Sequence, residues 1–360
     1  IEKKFFGAYD VEEATRSVMP SAATPSAKWV VKHVPVHLRP SYISSRLDGK
    51  FRVYYASDYS SFESLFSPDF MRACELQFYA YMWQGLPGGN DITDLVIRAL
   101  SQTQVCAGRG CRVRVPGCRM SGEMCTSLGN SFTNLALMAF VCHEHGVKWD
   151  GVVEGDDGLF GVEDDVVSAA DFEKLGFRIK LERKTDVATA GFCSFFFDRD
   201  VRENVVDPGE LLAKFGWIHS PLKNAGPAIM KSLLRGKAFS LKAELGAAPI
   251  AGALVRYVDR TVGEGKILFE GKGGRMDYWE QSKTRNVGGL RPVAMATRLV
   301  VEHLWKVSVA DQFAIEEYLD SLTELVPLKN PVIDRLMKPQ WVHYWDRYVA
   351  DFRTDVEDLF

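Results

Sequence analysis

The sequence predicts an α+β chain, a strand-rich centre flanked by helix-rich segments, on three observations. Phe51 to Ala56 (FRVYYA) is aromatic and β-branched and reads as a strand running up to Asp58. Val152-Val153 and Leu159-Phe160 flank Gly155-Asp156-Asp157, which reads as a tight β-hairpin with two carboxylates at its tip. Met124 to His145, rich in Leu, Ala, Met and Phe, reads as a long helix, and from about Asp207 the chain is largely helical.

The elements follow in chain order. Residues 1–50 carry Pro20, Pro25, Pro35 and Pro40, which break any long helix there. After the first strand, Ser67 suits a helix cap and Pro68 the first turn behind it. Arg109 to Val115 alternates Arg with small or apolar residues, as a hairpin strand does. Gly122 precedes the long helix. A short helix over Val167 to Lys174 stops at Gly176, and strands follow over Phe177 to Leu181 and Gly191 to Phe197. Ala310 to Leu322 repeats apolar residues at helical spacing.

Composition bounds the function. A chain of 360 residues exceeds what one core usually holds, so two or three lobes are expected. A net charge of -3 means that any nucleic acid must be met by cations concentrated in a channel. Seven cysteines, an odd count without a secretory leader, point to reduced thiols rather than a disulfide framework. No apolar run approaches the ~18 residues of a membrane span. The chain begins at Ile1, so a fragment or processed product is expected. Gly236-Lys237, Gly265-Lys266 and Gly271-Lys272 lack the earlier Gly and the following Ser or Thr of a phosphate-binding P-loop, which argues against a helicase-type NTPase.

Phosphoryl transfer onto a hydroxyl calls for divalent ions held by carboxylates, roughly 3.5–4 Å apart. Mg²⁺ takes oxygen ligands and lets substrate phosphates complete its shell. Asp58 at a strand end, facing Asp156 at a hairpin tip with Asp157 beside it, would serve. Taken alone, Gly-Asp-Asp is equally ordinary turn chemistry. Glu154 and Asp157 crowd more negative charge around Asp156, which is costly without a cation.

Three segments in order change the weight of this. Asp58-Tyr59-Ser60-Ser61-Phe62-Glu63 carries an acid five positions after its first Asp. Ser121-Gly122-Glu123-Met124-Cys125-Thr126-Ser127-Leu128-Gly129-Asn130 sets Ser-Gly, Thr and Asn at fixed spacing before a helix. Glu154-Gly155-Asp156-Asp157 follows. Together they resemble motifs A, B and C of the palm of positive-strand RNA virus RNA-dependent RNA polymerases. Phe172 to Lys184, with Leu175-Gly176-Phe177, looks like motif D, and Gly191-Phe192-Cys193-Ser194 like motif E. Thr297-Arg298, Gln312 and Glu316-Glu317-Tyr318 look like the thumb of tombusvirus-like enzymes. Thr15-Arg16-Ser17-Val18 weakly resembles the basic motif F.

The resemblance implies a right hand: an antiparallel-sheet palm backed by helices, partial fingers and a helical thumb. Residues 1–50 would be fingers, 51–80 palm with motif A, 81–118 a fingers insertion, 119–200 palm with motifs B to E, and 201–360 thumb. It implies that Asp58 and Asp156, with Asp157 assisting, hold two Mg²⁺ or Mn²⁺ ions. Glu63, where the family usually carries Asp, and Asn130 would sense the ribose 2′-hydroxyl, supported by Ser121, Gly122 and Thr126. Arg16 would contact the triphosphate. The motif D lysine that protonates the leaving pyrophosphate would be Lys184 first and Lys180 second. The implied partners are template and nascent RNA, ribonucleoside triphosphates and other viral replication proteins. The implied place is the host cytoplasm, at a membrane-associated replication complex.

Other readings stay open beside it. Arg109, Arg112, Arg114 and Arg119 favour a template channel, because motif B follows directly, over an exposed hairpin with charged edge residues. Cys142-His143-Glu144-His145 matches no standard zinc spacing. A reverse transcriptase normally has an aromatic residue where this chain has Glu154. A catalytically inactive palm serving as an RNA-binding scaffold would have no need of both Asp58 and Asp156.

Overall fold

The structure, a computed structural model, describes residues 29–345 except 33, 109, 121, 124, 218–221, 223 and 270–288. The chain divides into two compact units, Ile1–Ser194 and Phe195–Phe360. Both mix helices with antiparallel strands, the second being mostly helical.

The first unit is built on a four-stranded antiparallel sheet. Its strands are β1 (Val53–Tyr59), β4 (Trp149–Glu154), β5 (Asp157–Val162) and β6 (Ile179–Lys184), in the order β4-β5-β1-β6. On β1 Val53, Tyr54 and Tyr55 are all buried, and from Ala56 the burial alternates: Ser57 and Tyr59 are buried and Asp58 is exposed. The strand is covered on both faces at its start and opens one face towards its end, where successive side chains point to opposite sides. The buried face packs against α5 (Thr126–Glu144) through Met138 and Val141, against α6 (Ala169–Lys174) through Phe172, and against Phe62, Phe66 and Phe177. The outer edge of β4 is covered: Val153 N–H donates to the Trp29 carbonyl at 2.8 Å and Val31 N–H to the Val153 carbonyl at 3.1 Å.

Local chemistry explains where these elements begin and end. Helix α2 (Pro68–Ala73) starts behind Ser67, whose hydroxyl accepts the Phe70 N–H, with Pro68 in the first turn. Ser168 and Asp171 form a reciprocal capping box at the start of α6, and Gly176 takes a positive φ just past its end. Helix α1 (Arg39–Leu47) precedes β1; α3 (Glu75–Trp83), α4 (Gly89–Leu100) and the hairpin β2 (Gln104–Gly108)–β3 (Cys111–Val115) lie between α2 and α5.

Three boundaries differ from expectation. β1 starts at Val53 rather than Phe51 and runs through Asp58 to Tyr59 rather than ending at Asp58. β6 starts at Ile179 and continues to Lys184. Gly191 to Phe197 is not one strand: only Phe196–Phe197 pairs, with Asn204–Val205, as the short hairpin β7–β8. Cys193 and Ser194 both have positive φ, 51° and 63°, and two left-handed residues in succession turn the chain out of any ladder.

The second unit, from Phe195, carries α7 (Pro208–Lys214), α8 (Pro227–Leu245), α9 (Ala251–Val262), α10 (Met295–Trp305), α11 (Val309–Ser321), α12 (Pro331–Leu336) and α13 (Pro339–Trp345). Leu241, Leu254, Val258, Ile315, Leu319 and Ile333 form its core. Arg298 and Glu316 pair inside it at 2.8 Å, and the buried Gln312 amide donates to the Arg298 and Val307 carbonyls. Among the described residues no helix is long and apolar enough to cross a membrane.

Candidate active site

The site sits where β1, β5 and the β4–β5 turn end together. Gly155 and Asp156 are the two turn residues, and Glu154 and Asp157 are the closing pair. Gly155 supplies the positive φ of 66° that a two-residue hairpin needs at its first central position. β5 runs antiparallel to β1 with Ser57 opposite Gly158. Extending that register by one residue sets Asp58 beside Asp157. A Cβ on Gly158 would run into the Phe160 ring and the Ser57 hydroxyl, so only glycine lets the two strands close here.

Three aspartates from two distant segments therefore share one field. Burial first, then the charges of Glu63 and Asp58, raise the Asp156 carboxyl above its ordinary range. Asp157 is pushed up to about 6, by burial first and then by Asp156 and Asp58; a hydrogen bond from the Cys193 thiol acts the other way. Like charges held this close need either protons or a cation. Among the described residues no three His, Cys, Asp or Glu side chains already stand ready as a metal-ligand set. The donor chemistry nevertheless fits a hard divalent ion. It is all oxygen, offers few ligands, and is under a mutual repulsion that a cation relieves.

Beside the turn, the first part of α5 brings up the sugar-sensing pair that the sequence suggests. Asn130 is buried, and its Nδ2 donates to Glu63 Oε1 at 3.2 Å. Glu63 lies on a single 3₁₀ turn, Phe62–Leu65, directly after β1. Because the amide nitrogen faces the carboxylate, Asn130 Oδ1 is left as a buried acceptor with no partner among the described residues. Thr126 Oγ1 donates to the Met120 carbonyl at 3.1 Å and so ties down the loop before the helix. Gly122 in that loop has a φ of 89°, a conformation that disfavours any side chain. Ser121, Arg16 and Arg109 lie outside the described residues.

Strand register separates the two candidate lysines. Lys180 lies directly opposite Asp58, while Lys184 lies opposite Tyr54, four residues further along β1. At about 3.3 Å per residue that is roughly 13 Å from Asp58. Both lysines flank Glu182, Lys180 at 2.6 Å and Lys184 at 3.8 Å. The Glu182 hydrogen bond, and to a lesser degree Asp58, raise the Lys180 ammonium pKa.

Arg119 does not belong to a channel. It is buried, ion-paired with Glu75 and bonded to Glu123 at 3.0 Å, with the Tyr79 hydroxyl also donating to Glu75 at 2.7 Å. A Cβ on Gly129 would strike this pair, which is why α5 carries glycine there. Arg112 and Arg114 are exposed on β3. Glu154 is not a free charge at the tip either: Arg39, buried at the start of α1, pairs with it at 2.5 Å. That contact, and the Cys193 thiol near Glu154 and Asp157, carried no signal in the sequence.

Two further residues were missed. Ser131 Oγ accepts the Gly155 N–H at 2.8 Å, and Asn134 Nδ2 donates to the carbonyls of Asp156 at 2.9 Å and Gly155 at 3.4 Å. The available signal was Ser127, Ser131 and Asn134 at i, i+4 and i+7 on an otherwise apolar helix. The family model for viral RNA-dependent RNA polymerases matches residues 35–221, a span from just before α1 to just past α7. No curated protein matches the chain.

Proposed function

Because the chain belongs to the viral RNA-dependent RNA polymerases, and so is an RNA-directed nucleotidyltransferase, we propose that the cluster at the ends of β1 and β5 is its catalytic centre. The reaction is attack of an RNA 3′-hydroxyl on the α-phosphate of a ribonucleoside triphosphate, with loss of pyrophosphate. The observation that carries this reading is the strand register that brings Asp58 beside Asp157 at the hairpin tip, with burial and the charges of Glu63 and Asp58 raising the Asp156 carboxyl.

Asp58 and Asp156, with Asp157 beside them, would hold two Mg²⁺ or Mn²⁺ ions. When bound, such ions lower the pKa of an attacking hydroxyl and neutralise the triphosphate. The chain's own residues do the positioning. Glu63 holds the Asn130 amide nitrogen, which leaves the buried Oδ1 without a partner among the described residues and so available as an acceptor for a ribose 2′-hydroxyl. A deoxyribose would leave that buried acceptor unpaired, and this is the kind of contact that discriminates strongly. Lys180, opposite Asp58, is better placed than Lys184 to protonate the leaving pyrophosphate.

The layout follows the same reading. The β4-β5-β1-β6 sheet with α5 and α6 would be the palm, the β2–β3 hairpin and its neighbours part of the fingers, and the helical second unit the thumb. Arg112 and Arg114 suit sequence-independent contact with template phosphates. The tombusvirus-like thumb rests on the resemblance at Thr297, Arg298, Gln312 and Glu316, and a positive-strand RNA template and work in the host cytoplasm with other viral replication proteins belong to the same proposal.

Primer extension with labelled ribonucleotides tests the centre. Asp58→Ala and Asp156→Ala should each lose activity by about a thousandfold or more, as expected when charge neutralisation at the reacting phosphate is removed. Wild-type rates in both variants would overturn the assignment. Deoxynucleotide incorporation equal to that of ribonucleotides would favour a reverse transcriptase instead.

A further inference from the structure

We propose that Ser131 and Asn134 are positioning residues that couple recognition of the incoming sugar to the alignment of Asp156. The inference rests on the roles proposed for Asn130 and Asp156. Its ground is the set of backbone groups that α5 holds. Asn134 Nδ2 donates to the Gly155 carbonyl and to the Asp156 carbonyl, which belong to the peptide planes on either side of the Asp156 Cα. Fixing both planes fixes the direction of the Asp156 Cα–Cβ bond, and with it where the carboxylate points. Ser131 Oγ accepts the Gly155 N–H, so a third successive peptide group is held by the same helix. Ser131 in turn donates to the Ser127 carbonyl at 2.7 Å.

Asn130 sits on the same helix, one residue before Ser131 and one turn before Asn134. It faces Glu63, whereas its two neighbours face the turn. An α-helix is stiff over a single turn of about 5.4 Å. A displacement of Asn130 on binding a 2′-hydroxyl is therefore passed directly to the amide that aims Asp156. The composition of the helix points the same way. Ser131 and Asn134 are completely buried, and Asn134 Oδ1 has no partner among the described residues. An unpartnered buried oxygen costs free energy that an apolar side chain of similar size would not. What the amide does in return is hold the turn, because both Nδ2 bonds go to the carbonyls that flank the Asp156 Cα.

The test uses single-nucleotide incorporation by the whole chain, comparing each ribonucleotide with its deoxy counterpart, for wild type, Asn130→Ala, Asn134→Leu and Ser131→Ala. Mn²⁺ binding without nucleotide is followed by titration calorimetry. With the link cut in Asn134→Leu, the 2′-hydroxyl should still lower KM but no longer raise kcat. The ribo/deoxy ratio in kcat should fall by about tenfold while the ratio in KM holds, and Mn²⁺ should bind several-fold more weakly. Ser131→Ala should shift both in the same direction by less, and serves alone if Asn134→Leu does not fold. A uniform fall in kcat for both sugars, with the kcat ratio and Mn²⁺ binding unchanged, is what a merely structural role predicts and overturns the coupling. An unchanged ratio in Asn130→Ala instead overturns the sugar-sensing reading beneath it, so the two failures are distinct.

Discussion

In the helical unit, Arg298 meets Glu316 through two hydrogen bonds at 2.8 and 3.1 Å, Glu316 also accepts the Ile250 N–H, and the guanidinium lies over the Phe313 ring. At the ends of β1 and β5 the opposite holds. Asp156 feels the charges of Asp58 and Glu63, Asp157 those of Asp156 and Asp58, and Arg39, which reaches the turn, is committed to Glu154. Buried charge in the first case is matched within the fold, so its work is structural. In the second, the half-buried Asp156 and Asp157 are left in one another's field at a stability cost, which makes sense only if a further partner comes from outside.

The sharpest way to break this contrast is to neutralise one carboxylate at the turn. Asp156→Asn should lower nucleotide incorporation by about a thousandfold or more. Removing a charge whose ionised form is disfavoured in the folded state should also raise the Tm of the cation-free protein at pH 7. A fall in Tm with activity retained would place Asp156 among the structural charges. The converse substitution, Arg298→Met, should cost roughly 3–5 kcal/mol, because it strands Glu316 in the core. Denaturant melts read the loss directly, and incorporation per folded molecule should be unchanged.

Lysine register provides a smaller test. Lys180→Ala should slow incorporation by about a hundredfold, the scale of a lost general acid, and flatten its alkaline pH dependence. Lys184→Ala should do neither, since Lys184 faces Tyr54 rather than Asp58. If the slow variant is Lys184→Ala, the palm strands shift during the reaction and the register of β1 on β6 is not the one used.

Most of the elements were legible in the sequence because their signals are local. Ser67-Pro68, Ser168 with Gly176, and the Gly155-Asp156 turn each announce an element within a few residues. Asp58, Glu63 and Asn130 were legible for the same reason: each stands at a fixed offset inside one segment. What escaped is long-range. Arg119 reads as one more cation in a basic run until Glu75, far back on α3, takes it into the core. Arg39 gives no hint of Glu154, and Ser131 and Asn134 are plain polar helix residues until the turn folds onto them. The Gly191 to Phe197 segment has strand-like composition, but left-handed backbone at Cys193 and Ser194 is a demand of the surroundings, not of the residue types.

The mildest probe of the contrast is pH. Asp157 titrates at about 6 in the folded, cation-free chain, against an ordinary value near 3.8. A folded-state pKa above the unfolded one favours the protonated fold. This contribution is therefore complete below about pH 4 and lost as pH rises through 6, and it is worth roughly 2 kcal/mol after allowance for solvent screening. A cation competes with that proton. Mn²⁺ affinity should rise by about fivefold between pH 5 and pH 6, by about tenfold between pH 5 and pH 7, and level off above that, because one proton must leave for the ion to bind. Asp157→Asn should bind Mn²⁺ more weakly and lose most of that slope. A slope unchanged in Asp157→Asn would mean that the competing proton sits on Asp156, whose carboxyl is raised by burial and by Glu63 and Asp58.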